Sequence, residues 1–284
     1  MKAKKLIITF CIIAMVAVMA VGMMACSPKS SGKVKVIEIK LTEEEYAFGV
    51  NKKDPKLLAD VNAIIADMQK KDGEMDKIMN KYFNGAAVTP IESAKEDSAK
   101  DQLVVSTNAS FAPFEDVVGN KFVGIDMEIA QYIAKKLNKE LVIKNMDFEA
   151  AILDVGAGTS DIVMAGLTVN EDRKKSVAFT TSYYKASQMV VVKEEDTSFD
   201  ACKTVADVEK VLSELKGKKA GFQFGTTSQY YVEGNAEWEF KGFANITANR
   251  YENAGLAITD MLNGNIDLVI VDELPAYALA KKFQ

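Results

Sequence analysis

The chain has 284 residues, 48% of them hydrophobic and 26% charged, a composition that fits one or two globular domains and excludes a disordered chain. Its 40 acidic and 35 basic residues leave a net charge of −5, which provides no broad basic footprint for nucleic acid. Histidine is absent, which removes a Ser/His/Asp triad, most zinc sites and an imidazole pH switch, so neither a metal nor a cofactor is expected.

Residues 1–25 read as an export signal: Lys2, Lys4 and Lys5 precede an apolar run from Leu6 to Ala25. Met23-Met24-Ala25-Cys26 resembles a bacterial lipobox, although Leu is usual where Met23 stands. That resemblance implies lipidation of Cys26 and a lipid anchor on the extracytoplasmic face of the cell membrane. An uncleaved anchor is the alternative, because the run is close to the ~20 residues that span a bilayer, and ordinary cleavage is a third. Of Cys11, Cys26 and Cys202, only Cys202 would remain free in the mature fold, so no disulfide framework is expected.

Residues 26–32 form a tether, after which KVKVIEIKL reads as a strand with apolar contacts on both faces and YAFGV as a second extended run. Asp54-Pro55 has the chemistry of a helix start. Leu57, Leu58, Val61, Ile64, Ile65 and Met68 then form one apolar stripe, and a second short helix carries Met75, Ile78, Met79 and Tyr82. Residues 86–100 form a polar linker. From 101 onward strands alternate with helices: DQLVVST, ELVIKNM, DIVMAGL, QMVVVK, KKAGFQF, ITANRY and DLVIVD are the strands, with IDMEIAQYIAKKL and FEAAILDVGAG among the helices. This rhythm predicts an α/β fold of mixed or parallel sheets flanked by helices, in two lobes.

Two arginines stand beside 33 lysines, which makes each arginine informative. Arg173 follows closely on a buried strand, and strand ends of open α/β sheets line ligand crevices. A guanidinium there can grip a carboxylate through two parallel hydrogen bonds, which an ammonium cannot do. On spacing alone, a solvated charge within EDRKK remains the competing reading.

STNASFAPFE, NKFVGIDMEIA, AGLTVNEDRKKSVAFT, GFQFGTTSQ and IDLVIVDELPA together resemble the amino-acid-binding family, family 3, of bacterial ABC-transporter substrate-binding proteins. The resemblance implies a two-lobed periplasmic-binding-protein-like fold of type II, with two inter-lobe crossings, that closes on one amino acid. It also implies residue roles. Arg173 would hold the ligand α-carboxylate beside Thr168 and the Gly-Thr-Thr turn at Thr226 and Thr227. Asp272 and the Gly166 carbonyl would hold the α-ammonium. Phe111 and Phe148 would wall the side-chain slot. Asn108 stands where relatives that bind cationic side chains are acidic, which points to glutamine, cystine or a similar polar amino acid, with Gln223 tuning the choice. An ABC permease in the membrane and a monomeric state follow from the same resemblance.

In that family the segment resembling LTEEEYAFGVNKKDPKLLADVNAIIADMQKKDGEMDKIMNKYF follows the stretch resembling VDELPAYALAKKF, whereas here it precedes everything else. The chain therefore reads as a circular permutant in which the linker 86–100 joins the usual ends. One lobe is expected to combine 33–50 with 192–284 and the other to span 51–191, with crossings near Val50 and Lys193 and with Tyr46–Asn51 beside the latter. The binding residues are all expected beyond position 100. The competing function is an enzyme on the same scaffold, such as a cyclic-acid dehydratase. A sensory module is disfavoured.

Overall fold

The computed structural model describes residues 32–283; the stretch 1–25 expected to be an export signal, and Cys26, lie outside them. The front segment contains β1 (Val34–Ile37), β2 (Glu44–Tyr46), β3 (Gly49–Asn51), α1 (Pro55–Met68) and α2 (Glu74–Phe83). α1 begins as its sequence dictates, with the Asp54 carboxylate accepting from the Leu57 amide at 2.8 Å and Pro55 in the first turn. Leu57, Val61, Ile65 and Met68 form its buried face, and α2 adds Met75 and Ile78.

The next elements are β4 (Gln102–Thr107), β5 (Asp116–Val118), β6 (Lys121–Val123), α3 (Ile125–Lys136), β7 (Glu140–Asn145), α4 (Phe148–Ala157), β8 (Ile162–Val163), α5 (Glu171–Ser176), β9 (Val177–Phe179), β10 (Tyr184–Ala186) and β11 (Gln188–Lys193). The remainder is α6 (Val205–Glu214), β12 (Lys219–Gln223), α7 (Thr227–Glu233), β13 (Thr247–Tyr251), α8 (Ala254–Leu262), β14 (Leu268–Asp272) and α9 (Glu273–Lys282).

Two five-stranded mixed sheets result, each the centre of one lobe. The first has the order β7-β4-β8-β3-β9 and the second β1-β11-β14-β12-β13. β4 runs parallel to β7 and β8, and β12 parallel to β13 and β14. One strand runs against the others in each sheet, β3 in the first and β11 in the second. Among the described residues no helix is long and apolar enough to cross a membrane.

The lobe boundaries differ from the sequence expectation. β3, expected to end the lobe containing 33–50, is inserted between β8 and β9 of the first sheet, where Val50 is fully buried. All of β11 belongs to the second sheet, because its continuous run Met189–Val192 is buried between β1 and β14. The crossings therefore lie at a small antiparallel ribbon of β2 and β10, which pairs Tyr46 with Tyr184, and not near Val50 and Lys193. Lys193 instead pairs with Val34 at the far end of β11.

The linker 86–100 also departs from expectation. Its single large aliphatic residue, Ile91, is buried and exchanges two amide bonds with Phe122 of β6, at 2.7 and 2.8 Å. Ser93 and Ala94 bond to Ile143 and Leu141 of β7, so the stretch covers an otherwise open sheet edge.

The front segment is part of the first-lobe core. Phe48 is fully buried and stacks on Tyr183 with ring centroids 4.4 Å apart. Phe48→Ala is expected to reduce unfolding free energy by about 3–5 kcal/mol, the usual loss for a buried phenylalanine; the shift of the urea midpoint measures it.

Candidate functional site

A cavity of about 300 Å³ of atom-free space lies between the lobes. The first lobe lines it with Asn108, Phe111, Phe148, Gly166, Thr168 and Arg173, the second with Gln223, Thr226, Thr227 and Asp272. Every site residue named from the sequence thus meets in one place, joined by Glu115 and Ala165.

The basic end is built by the loop from β8 into α5. Asn170 caps α5, its side-chain oxygen accepting from the Arg173 amide at 2.6 Å, which places Arg173 in the first turn. The guanidinium is buried, donates to the Thr168 carbonyl at 2.7 Å and to the Gly225 carbonyl of the opposite lobe at 3.1 Å, and lies 5.0 Å from the Phe148 ring centroid. Phe148 is therefore a support for Arg173 as well as a wall. Neither hydrogen-bond partner is anionic, and burial holds the guanidinium below its ordinary pKa. Across the cavity the Thr226 hydroxyl is committed to the Gln223 carbonyl at 2.7 Å, whereas the Thr227 hydroxyl is buried without a partner.

The acidic end is Asp272, at the end of β14. Its Oδ1 accepts from the Tyr46 hydroxyl and from Gln188 Nε2, the latter at 2.9 Å. Burial, and secondarily the nearby Glu44 carboxylate, push Asp272 up to about 7, against the lowering effect of the Tyr46 and Gln188 hydrogen bonds. Gly166 has φ +53° and could carry no Cβ, which would stand 2.6 Å from the Phe111 ring. Its amide donates to Asp126 Oδ2 at 3.0 Å, which fixes the peptide plane beside the cavity. Asp126, itself bonded by the Tyr183 hydroxyl at 2.6 Å, is pushed up to about 7 by burial.

At the side-chain end Asn108 is engaged at both of its polar atoms: its oxygen accepts from Gln223 Nε2 at 2.8 Å and one amide proton is donated to the Met146 carbonyl at 2.8 Å. Glu115 is the opposite case. It is buried, neither carboxyl oxygen has a hydrogen-bond partner, and burial followed by Asp126, Asp272 and Asp116 raises its pKa well above the usual carboxylate range. Gly124 holds the surrounding turn close, since a Cβ there would stand 2.0 Å from the Phe114 carbonyl.

Sequence reasoning missed Glu115 although it ends the motif ASFAPFE. It also missed Tyr46 and Glu44 of β2: Tyr46 donates to Asp272, and Glu44 shares the Gln188 amide with Asp272 while its charge raises the Asp272 pKa. The lining residues all lie beyond position 100, while Tyr46 from the front of the chain bonds to one of them; the signal was the run of three glutamates and a tyrosine, Glu43–Tyr46, just ahead of the apolar Ala47-Phe48. Among the described residues no cluster of His, Cys, Asp or Glu is placed to hold a metal ion.

Residues 103–256 match the bacterial extracellular solute-binding proteins, family 3. The chain belongs to this family. As a family 3 protein it has the type II periplasmic-binding fold, two mixed sheets flanked by helices. The arginine-binding extracellular protein ArtP of Bacillus subtilis (strain 168) is 31% identical over 63% of this chain and 64% of its own length. The chain spans 64–65% of the length of the curated arginine-binding relatives it matches. An ancestral arginine-binding protein, solved bound to glutamine, shares 35% identity and a TM-score of 0.55 over 64% of this chain and 74% of its own. The ancestral amino acid-binding protein AncCDT-1, described as a precursor of cyclohexadienyl dehydratase, shares 25% identity and a TM-score of 0.55 over 73% of this chain and 78% of its own.

Asp272 binds its proton more tightly in the fold, at about 7, than in an unfolded chain, at about 3.9. Its contribution to stability is complete below the unfolded value and is lost as pH rises toward 7. Thermal melts between pH 4 and 7 should show a smaller fall with rising pH in Asp272→Asn than in the unaltered protein.

Proposed function

We propose that the protein captures one polar L-amino acid outside the cytoplasm and delivers it to an ABC permease in the membrane. The observation behind this reading is Arg173, a buried cation whose hydrogen bonds go to carbonyls alone, lining the same cavity as Asp272 of the other lobe. An isolated buried charge is costly, and a zwitterion relieves both ends at once: its carboxylate takes Arg173 and the free Thr227 hydroxyl, its ammonium takes Asp272. Closure is favoured because the two ends of the ligand meet different lobes. The relatives' names support the amino-acid class, since they include an arginine-binding protein and an ancestral protein bound to glutamine.

For the side chain, the site offers both donors and acceptors. Asn108 and Gln223 each keep one uncommitted amide proton, while the Gln223 oxygen and the Glu115 carboxyl are also available. A ligand side chain that both donates and accepts is therefore preferred, which keeps glutamine as the leading ligand. The orphaned Glu115 carboxyl supports arginine as the second reading, with Glu115 ionised by the guanidinium.

The anchoring at Cys26, the monomeric state and the permuted order belong to the same proposal. The order is supported by the front segment, which supplies β1 to one sheet and β3 to the other while the family match begins only at residue 103. A reordered chain placing 33–100 behind 101–283 is expected to bind the same ligand.

Calorimetry with L-glutamine and L-arginine tests the reading. Arg173→Ala should weaken binding by about 2–5 kcal/mol, at least roughly thirtyfold, and an unchanged affinity would remove Arg173 from the site. A ligand at about 100 times its Kd should add ~2.7 kcal/mol to stability. Consumption of a ring-containing acid, in place of stoichiometric amino-acid binding, would favour the dehydratase alternative. In the unaltered protein, affinity should rise with pH through about 7, because the ammonium needs Asp272 ionised.

A further inference from the structure

Glu44 lies on β2, within the ribbon that joins the lobes, and is buried. A carboxylate in such a place requires several donors, and it has them from three segments. Its Oε1 accepts from the Thr42 hydroxyl at 2.6 Å and from Gln188 Nε2 at 2.9 Å, and its Oε2 from the Thr168 hydroxyl at 2.8 Å. Gln188 is fully buried and divides its two amide protons between Glu44 and Asp272, both at 2.9 Å, while its oxygen accepts from the Ser228 hydroxyl at 2.6 Å. Ser228 stands in the first turn of α7, next to Thr227.

We propose that Glu44 is a positioning residue for ligand capture: from the hinge it holds Thr168 directly and, through Gln188, aims Asp272 and the start of α7. This rests on the amino-acid reading above. The two lobes each contribute one charged end of the site, and the ribbon between them carries the only group described here that is bonded toward both. Removing the Glu44 oxygens leaves a Gln188 proton without its acceptor, and the amide is then held by Ser228 and Asp272 alone, a looser hold from which to aim Asp272. The ammonium end is affected first, since Thr168 retains its carbonyl bond to Arg173.

The test is calorimetry on the full chain with L-glutamine and L-arginine, beside the same molecules lacking the α-amino group, glutaramic acid and δ-guanidinovaleric acid. Measured at about pH 8, where Asp272 is mostly ionised whether or not the Glu44 charge that raises it is present, Glu44→Ala should weaken the bound amino acid about tenfold or more, the loss of one hydrogen bond to a charged group, and should weaken its desamino analogue much less. Glu44→Gln should restore most of the affinity, because its oxygen accepts from Gln188 and its amide can donate to the Thr168 hydroxyl. If Glu44→Ala does not fold, Ser228→Ala frees the other end of Gln188 and should shift the same ratio in the same direction. Equal losses for amino acid and analogue, or a lowered melting temperature with an unchanged ratio, would overturn the inference. Absence of binding by the unaltered protein would defeat the amino-acid reading, and this inference with it.

Discussion

Arg173 and Asp272 are buried charges of opposite sign on different lobes, and the protein gives neither an ionic partner within hydrogen-bond reach. That arrangement governs the surrounding structure. Each charge must be held by neutral dipoles strong enough to keep it in place and weak enough to leave it attractive to a ligand. Arg173 has two carbonyls and an aromatic face; Asp272 has a phenol and an amide. The glycine at 166, the cap at Asn170 and the turn at Thr226 follow from bringing backbone close to those charges.

Much of this was legible in the sequence because it is local. The cap at Asp54, the stripe on α1 and the glycine-ended α4 each follow from residues within a few positions of one another. Arg173 was conspicuous because arginine is rare here, and the ten site residues fall in short motifs whose spacing a strand-to-helix turn preserves. What was not legible is pairing across distance. Nothing within QMVVVK says which sheet receives it, since a fully apolar strand suits the centre of either lobe. The lobe boundaries were misplaced for that reason, and Ile91 was overlooked because the few apolar residues of 86–100 follow no strand or helix period.

The same limit accounts for Glu44, Tyr46 and Glu115. A buried acid and a surface acid look alike in sequence, and only the assembled fold shows that Glu44 has donors from three segments while Glu115 has none. In the structure the front segment supplies core to the first lobe, an edge strand to the second and polar support to the cavity between them.

The placement of Asn108 changes the argument about selectivity. An amide at a position that is acidic in cation binders suggested a neutral ligand, but that inference assumes the side chain faces the ligand. Here Asn108 bonds across the cleft to Gln223, so its amide character serves lobe closure, and an aspartate would present a second acceptor in place of the amide that bonds the Met146 carbonyl. The discriminating charge passes to Glu115, seven residues along, where burial favours the protonated form until a cationic group arrives. On the proposed reading, one acid would serve either ligand, donating to a glutamine carbonyl when protonated and accepting from a guanidinium when ionised. Selectivity between them becomes a competition between the desolvation of Glu115 and the strength of the ion pair it would form.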